Sequence, residues 1–492
     1  MNRREFSRGL VALGAAGFGG AGCQAASSGR QAGGDPPARY YEEPAKRIRA
    51  GECDVVVAGA GTAGVVAALA AARNGARTVL IERKGYPGGT VTEGGTALHS
   101  FYNLWKAFPQ AKKRQVVRGI AQEIIDRLMP LGGCTGHAEM TKGTNYDSVC
   151  TAIDTELYKL VTFRMLTEAG VTCLMNTLLV DAIVDGGRVD GVITESRNGR
   201  EAVFAKCFID CTAFGDLAAC AGAACNEPND YPVVNSIGLA NVSMEKYHAW
   251  LSEHNAVKQR AEGIRSGVPG KIVRLDAYRG RLPMGFREGA GKIGMSPVTT
   301  SCHDNYFMFI KLNFKMRVSP TDRDAVSKAE LELRERQAKA VRLFRKYVPG
   351  FEKAFMTRTS PTLCIRRGRQ IVCDYDVSHE DVIEGRHFDD EVMVYGFHDL
   401  APRLQIAGGG TYGLPYKALR VKGLANLLAA GMLITSDHRA HMSTRNTVCC
   451  MGQGQGAGTA AALCAARGCG TRELPYCDLR GALERAGVYF EA

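Results

Sequence analysis

Residues 54–82 read DVVVAGAGTAGVVAALAAARNGARTVLIE, and this stretch decides the fold of the chain. The valine run at 55–57 lacks polar alternation, which is typical of a strand buried in a parallel sheet. An Ala-rich helix is predicted over residues 65–74, and a second strand over residues 78–81. Strand, helix and strand in this order form one βαβ motif. The sequence therefore predicts an α/β fold with a parallel sheet.

Three glycines between the first strand and the helix have the spacing G-x-G-x-x-G. Gly59 permits the tight turn after the strand, Gly61 lets the backbone approach a pyrophosphate, and Gly64 lets the helix pack closely on the strand. The helix N-terminus offers N–H groups to phosphates. Glu82, at the end of the second strand, can accept hydrogen bonds from a ribose hydroxyl. This context favours dinucleotide binding over an ordinary glycine-rich turn, although the spacing alone does not separate FAD from NAD.

The composition is typical of a globular protein. The chain has 492 residues, a formal net charge of +12 and 45% hydrophobic residues, which is enough for two or three domains. Because the basic residues are spread along the chain, we expect a solvated basic face and no nucleic-acid partner. An acidic substrate or cofactor phosphates could use part of the excess charge. The 17 cysteines include no C-x-x-C pair, so we expect no metal site.

The N-terminal residues 1–23 read MNRREFSRGLVALGAAGFGGAGC. The pair Arg3 and Arg4, followed by a weakly apolar run, resembles a twin-arginine export signal. Cys23 resembles a lipoprotein cleavage site, and the alternative is a disordered tail. We therefore expect a protein that is periplasmic or otherwise exported by a twin-arginine route, with transient membrane contact through the signal or through a lipid anchor. Residues 24–50 are polar and rich in Gly, Ser and Pro, as in a linker.

The middle of the chain has a different pattern from residue 236 onward. Residues 306–316 alternate apolar and polar side chains, which predicts a long half-buried strand. The βαβ rhythm is absent from this part of the chain. We interpret residues 236–394 as an inserted α+β substrate or cap domain.

The C-terminal part repeats the glycine pattern. Residues 427–434 predict another buried strand, and the glycines at 452, 454, 456 and 458 lead into an Ala-rich run. We interpret this as a second glycine-rich helix entry. Two such entries at opposite ends predict a single cofactor domain built from residues 51–235 and 395–492.

The segment FIDCTAFGDLAACAGA at residues 208–223 is similar to F-I-D-A-T-G-D-G-D-L-A, a motif of the FAD-dependent oxidoreductases of the glutathione-reductase-like, two-dinucleotide-fold class. Three other blocks resemble the same family: the first glycine motif with Gly-Gly-Thr at 88–90, residues 347–375, and a block within 426–463. The likeness implies a Rossmann-like FAD-binding domain with an inserted substrate domain. The departures are Ala213-Phe214 for Gly-Asp, Arg367-Gly368 for Glu-Ser, and Gln370 for Arg.

The resemblance implies FAD as the cofactor and a set of residues that would hold it. These are Gly59, Gly61, Thr62, Ala63, Gly64, Glu82, Arg83, Gly88, Gly89, Thr90, Val180, Asp210, Thr212, Gly454, Gln455, Gly456, Gly458 and Thr459. A helix beginning near Gly456 would direct its N-terminus at flavin N1 and the C2 carbonyl, where the helix dipole stabilises negative charge.

The candidate catalytic residues are His441, Arg445, Arg366 and Arg369. A flavoenzyme that oxidises a hydroxyl needs a base near the substrate and cations for negative charge. Under the simpler interpretation, Arg445 pairs with a structural carboxylate or an FAD phosphate, and His441 only packs.

The function predicted from the sequence is hydride transfer between a small organic substrate, of hydroxyl or CH–CH type, and FAD, with an electron acceptor that the sequence does not name. One alternative is a non-catalytic flavin-binding or electron-transfer subunit. Another is a thiol–disulfide flavoenzyme, which is disfavoured because no cysteine lies between Cys53 and Cys134.

Overall fold

The computed structural model describes residues 40–93, 98–100, 114–142, 149–313, 316–397 and 406–491. The chain forms two compact units, Met1–Ile48 and Arg49–Ala492. The predicted export signal and the linker as far as residue 39 lie outside the described residues. Residues 40–48 contain no helix or strand and are largely exposed. Within the described ranges, the helices are too short or too polar to span a membrane.

A five-stranded parallel sheet forms one core of the second unit. Its strands lie in the spatial order Leu427–Ala429, Cys207–Asp210, Val55–Ala58, Thr78–Glu82 and Thr172–Met175. The central strand Val55–Ala58 is fully buried, as its unbroken apolar sequence predicts. This sheet confirms the α/β fold, and both ends of the chain contribute strands to it.

Two helices pack against each other beside the parallel sheet. The first helix, Thr62–Arg73, follows the first glycine motif, and the glycine helix, Thr447–Arg467, comes from the C-terminal part. The prediction that a helix begins near Gly456 was wrong, because the glycine helix begins at Thr447 and encloses all four glycines.

Close packing explains why glycine occurs inside the glycine helix. A Cβ atom on Gly454 would lie 2.2 Å from the Ala63 carbonyl oxygen, and one on Gly458 would lie 2.1 Å from the Ala67 carbonyl oxygen. Two glycines four residues apart therefore let the backbones of the two helices touch. The glycines at 452 and 456 instead face the side chains of Met393 and Val392.

A large antiparallel sheet contains nine strands within the described residues. Their spatial order is Phe355–Thr359, Val234–Ala240, Tyr306–Asn313, Met295–Thr300, Val268–Ala277, Val257–Arg265, Ala138–Lys142, Val149–Ala152 and Leu98–Ser100. The helix Arg323–Tyr347 packs on this sheet, and Phe307, Phe344 and Phe351 contribute to a second hydrophobic core. Because three strands come from outside residues 236–394, the boundaries of the substrate domain stay a prediction.

Smaller elements complete the second unit. A four-stranded sheet has the order Arg49–Glu52, Gly199–Phe204, Arg188–Ser196 and Leu178–Asp185. Two strand pairs are Cys225–Asn226 with Gln370–Ile371, and Glu391–Tyr395 with Tyr412–Pro415. The other helical segments are Ile120–Leu128, Met129–Leu131, Thr155–Glu168, Asp216–Cys220, Met244–Glu253, Arg279–Arg281, Met284–Lys292, His379–Ile383, the kinked Ala407–Gly410, Tyr416–Ala418, His441–Thr444 and Tyr476–Arg485.

Candidate cofactor and substrate site

A cleft opens at the carboxyl ends of the parallel strands. Five of its lining residues, Gly59, Glu82, Thr177, Cys211 and Met432, each follow or end a different strand of that sheet. The cleft contains about 910 Å³ of empty space, part of which is open to solvent. Ligands of open parallel sheets bind at this edge, so the cleft is the candidate site.

The three glycines of the first motif have different surroundings. A Cβ on Gly59, whose φ is +90°, would lie 2.6 Å from the Cys211 carbonyl oxygen, and one on Gly64 would lie 1.8 Å from the Gly59 carbonyl oxygen. The fold itself therefore requires glycine at both positions. A Cβ on Gly61 would meet no atom of the described residues closer than 3.9 Å, apart from its chain neighbours. Gly61 instead leaves space in the cleft, as a site for a pyrophosphate needs.

Glu82 holds the glycine loop to the end of the second strand. Its carboxylate accepts hydrogen bonds from the N–H groups of Ala60 and Lys84, each at 2.8 Å. Burial raises the pKa of Glu82. Because each carboxylate oxygen can accept a further hydrogen bond and Glu82 lines the cleft beside Arg83, the residue suits the ribose role implied by the resemblance.

The second glycine pair packs on the first glycine loop. Gly88 donates its N–H to the Ala60 carbonyl at 2.8 Å, and a Cβ on Gly89, whose φ is +50°, would lie 2.6 Å from the Gly61 Cα. Thr90 lines the cleft next to them. The structure thus brings both glycine motifs to one wall of the cleft.

Asp210 fixes the loop that forms another wall. Its buried carboxylate accepts hydrogen bonds from the Thr212 N–H at 2.9 Å, the Thr212 hydroxyl at 2.7 Å and the Ala218 N–H at 2.8 Å. Burial raises the pKa of Asp210 to about 6. The loop directs Ala213 and Phe214 into the cleft, so the departure from Gly-Asp makes this wall more apolar.

Ala213 has a backbone conformation that favours glycine. Its φ is +73°, and the left-handed region costs a residue with a Cβ about 1–2 kcal/mol. We expect Ala213→Gly to stabilise the protein by about 0.5–1 kcal/mol, because the flexibility of glycine in the unfolded chain offsets part of the gain. Urea unfolding measures this change. Ala221→Gly is the matched control: its φ of −78° is ordinary, so it should destabilise, and a loss of stability in both variants would contradict the expectation.

Several implied cofactor residues lie elsewhere. Gly454, Gln455, Gly456, Gly458 and Thr459 are buried inside the glycine helix and are not among the described residues that line the cleft. The Gln455 amide instead accepts from the Ile120 N–H at 3.1 Å and donates to the Ala486 carbonyl at 3.3 Å. Val180, Thr62 and Ala63 also lie outside the lining, within two residues of Leu179 or Gly61, which belong to it.

The far part of the cleft was not predicted. Its lining residues there are Thr362, Leu363, Cys364, Ile365 and Met432. They lie in two of the blocks that carried the family resemblance, which was the available signal. Their mostly apolar side chains would exclude water from a bound reactant.

His441 is held by a fixed chain of hydrogen bonds. The Arg367 guanidinium donates to Gln370 Oε1 at 2.9 and 3.1 Å, so the amide nitrogen of Gln370 donates to the Ile434 carbonyl and to His441 Nδ1, each at 3.0 Å. His441 Nε2 therefore carries the proton and donates to the Arg366 carbonyl at 3.0 Å. Burial and the neighbouring arginines hold the pKa of His441 well below its usual range. This geometry gives a neutral histidine that positions Arg366.

We expect His441→Ala to destabilise the protein by about 3 kcal/mol, because two buried polar partners lose their hydrogen bonds. The measurement is urea unfolding of the flavin-loaded protein. His438→Ala is the control: His438 is exposed, and its partner Asp230 keeps an ion pair with Arg367, so the cost should stay below about 1 kcal/mol. Equal stability of the two variants would leave His441 available for the predicted catalytic role.

The candidate arginines divide into two kinds. Arg369 pairs with Glu227 at 3.4 Å and Asp216 at 3.7 Å, so acidic groups already balance its charge. Arg366 and Arg445 flank the ring of Tyr231, with Cζ atoms 5.9 and 5.7 Å from its centroid. The His441 ring also stacks beside Tyr231, with ring centroids 5.5 Å apart. The structure therefore brings three of the four candidate catalytic residues together beside this ring.

The fold and the cleft define a dinucleotide-binding α/β protein. A family model described as "FAD dependent oxidoreductase" matches residues 54–483. The chain therefore belongs to the FAD-dependent oxidoreductase family, with FAD as its cofactor and redox chemistry as its class of activity.

Individual relatives are more distant. A stretch of 155 residues is 32% identical to thiamine thiazole synthase of Aeropyrum pernix and covers 31% of this chain and 47% of that protein. The chain thus spans about half the length of this relative. Similar solved structures include a geranylgeranyl bacteriochlorophyll reductase-like protein from Thermoplasma acidophilum. The two are 12% identical, the match covers 89% of this chain and 83% of that one, and the TM-score is 0.41. The myxobacterial chondrochloren halogenase CndH is 12% identical to this chain. The match covers 88% of this chain and 79% of the halogenase, and the TM-score is 0.44.

Proposed function

We propose that this protein transfers a hydride between a small organic substrate and FAD. The observation that carries the proposal is one continuous cleft, with the open space beside Gly61 in one part and the apolar lining at Leu363, Ile365 and Met432 in another. The first part suits a dinucleotide, and the second leaves room for a reactant away from water.

The chain's own residues have separable roles in this proposal. The glycine loop and Glu82 would hold the cofactor, and the bound FAD would supply the group that accepts or returns the hydride. Leu363 and Ile365 would exclude water, which strengthens every electrostatic interaction in the site. Arg366 and Arg445 would stabilise negative charge on the substrate. His441 would hold the Arg366 backbone in place.

The thiol–disulfide alternative has less support. Cys211 and Cys364 both line the cleft, but burial raises the pKa of each thiol. A thiol with a raised pKa is protonated at neutral pH and reacts poorly. A non-catalytic electron-transfer subunit remains the second candidate, since such a protein would also bind FAD.

Anaerobic mixing of the flavin-loaded protein with a panel of alcohols, hydroxy acids, sugars and saturated acids tests the proposal. We expect at least one class to bleach the visible flavin absorbance at a saturable rate. If a chemical reductant bleaches the flavin but no member of the panel does, the electron-transfer alternative replaces the proposal.

We also propose that the protein is exported. The support is the Arg3-Arg4 pair with its apolar run, and the possible lipid attachment at Cys23 belongs to the same proposal.

A further inference from the structure

Three cationic side chains lie together beside the far part of the cleft: Lys311, Arg366 and Arg445. Lys311 belongs to the strand Tyr306–Asn313, whose residues Ile310 and Leu312 face the second hydrophobic core. Strand alternation places Lys311 on the opposite face. Arg366 follows directly on the lining residue Ile365. All three side chains are half-buried.

The described residues provide little negative charge for two members of this cluster, Lys311 and Arg445. Lys311 pairs with Ser236 in the sheet, but within the described residues its side chain makes neither a hydrogen bond nor an ion pair. In the same ranges Arg445 has no partner for its buried Nε, and its Nη2 donates only to the Met442 sulfur at 3.1 Å. Asp276, the carboxylate that acts on Lys311, is paired with Lys258 at 3.2 Å.

Such an arrangement is costly without a bound anion. Burying cations without counter-charges destabilises a fold, and it lowers the pKa of each cation because burial disfavours the charged form. Burial, together with the Arg366 and Arg445 guanidinium groups, lowers the pKa of Lys311 to about 7. Burial and Arg366 lower the pKa of Arg445 to about 9. A bound anion would reverse both shifts, which is the behaviour expected of a binding site.

The position of the cluster argues against a cofactor phosphate as the anion. The open space at Gly61 adjoins the N-terminus of the first helix, and that terminus offers N–H groups suited to phosphates. The cation cluster instead adjoins the apolar lining at Cys364 and Ile365. A guanidinium fork and an ammonium group match a carboxylate.

We propose that Lys311, Arg366 and Arg445 form a carboxylate-binding subsite, and that the substrate is an organic acid. The statement about the substrate rests on the proposed function, whereas the binding of a carboxylate does not.

The test compares butyrate with butyramide, which has nearly the same shape but no charge. Each is titrated into the flavin-loaded protein, and binding is measured by calorimetry and by the change in flavin absorbance. We expect butyrate to bind at least about tenfold more tightly than butyramide, because a single hydrogen bond to a charged group contributes a binding free energy of that size. Lys311→Met and Arg445→Met should each remove this preference. Lys422→Met, at an exposed lysine, should keep it.

The preference should also depend on pH. Lys311 is charged below its pKa of about 7, so butyrate binding is strongest below that pH and weakens as the pH rises through it. The charged fraction of Lys311 falls about tenfold between pH 6 and pH 8, so the affinity for butyrate should fall by about the same factor. Arg366 and Arg445 lower this pKa, while Cys364 and Asp276 raise it. Lys311→Arg should keep the preference for butyrate and lose the pH dependence. This variant tests the proposal even if the Lys311→Met protein fails to fold.

The outcomes separate this proposal from the proposed function. Equal binding of butyrate and butyramide, or an unchanged preference in a folded Lys311→Met protein, overturns the carboxylate subsite. If butyrate binds as expected but no compound reduces the flavin, the subsite stands and the hydride-transfer proposal fails. If a neutral alcohol reduces the flavin while butyrate does not bind, the subsite fails and hydride transfer stands.

Discussion

The Gly61→Val protein should fold and should contain almost no FAD. Gly61 has φ −68° and ψ −172°, a conformation open to any residue. Among the described residues, a Cβ there meets no atom closer than 3.9 Å beyond its chain neighbours. The valine side chain instead occupies the space left for the pyrophosphate. A steric conflict of about 3 kcal/mol weakens binding about a hundredfold.

The control for this substitution lies three residues further on. A Cβ on Gly64 would lie 1.8 Å from the Gly59 carbonyl oxygen, so Gly64→Val should give insoluble or unfolded protein. Flavin content per chain, measured after denaturation, and circular dichroism together distinguish the two losses. A folded Gly61→Val protein with its full content of FAD would show that the cofactor does not approach this glycine.

The second large effect concerns the glycine helix. We expect Gly454→Ala and Gly458→Ala each to destabilise the protein by about 3 kcal/mol or more, because the added Cβ would meet the backbone carbonyl of Ala63 or Ala67. Backbone inside a buried helix pair cannot move aside without loss of packing elsewhere. Urea unfolding of the three proteins gives the free energies.

The same helix offers a control with the same chemical change. A Cβ on Gly452 would lie 2.5 Å from the Met393 sulfur and methyl carbon, which are the mobile end of a flexible side chain. Alanine also favours a helix over glycine by about 1 kcal/mol. Gly452→Ala should therefore stay within about 1 kcal/mol of the native protein, and an equal loss in all three variants would contradict the helix-contact explanation.

The first βαβ motif could be predicted closely from the sequence. The helix expected at 65–74 is Thr62–Arg73, and the strand expected at 78–81 is Thr78–Glu82. These elements depend on local patterns: an apolar run, glycines at a turn and an Ala-rich segment. Each pattern acts within a few residues, so the sequence alone is sufficient.

The C-terminal glycines could not be interpreted in this way. Glycine is required both where a chain turns tightly and where two backbones touch, and the sequence does not show which applies. Only the position of Ala63 and Ala67 against Gly454 and Gly458 decides between them. That contact joins segments at opposite ends of the chain, beyond the reach of local pattern.

Lys311 was missed for a related reason. The alternation at residues 306–316 correctly predicted a strand, observed as Tyr306–Asn313. Alternation assigns Lys311 to the face opposite the core, which is ordinarily exposed to solvent. Arg366 and Arg445 come from distant segments and act on Lys311 through their charge, and no feature of the strand's own sequence indicates their approach.

The edge strand Leu427–Ala429 and the glycine helix have a consequence for the order of assembly on the ribosome. The first glycine loop is among the earliest parts of the second unit to be synthesised, yet its helix lacks its packing partner until residue 467 has emerged. Contacts between such distant segments form slowly. The nascent chain must therefore keep an apolar helix face covered by other means during synthesis, and it becomes competent to bind FAD only after residue 467 has emerged.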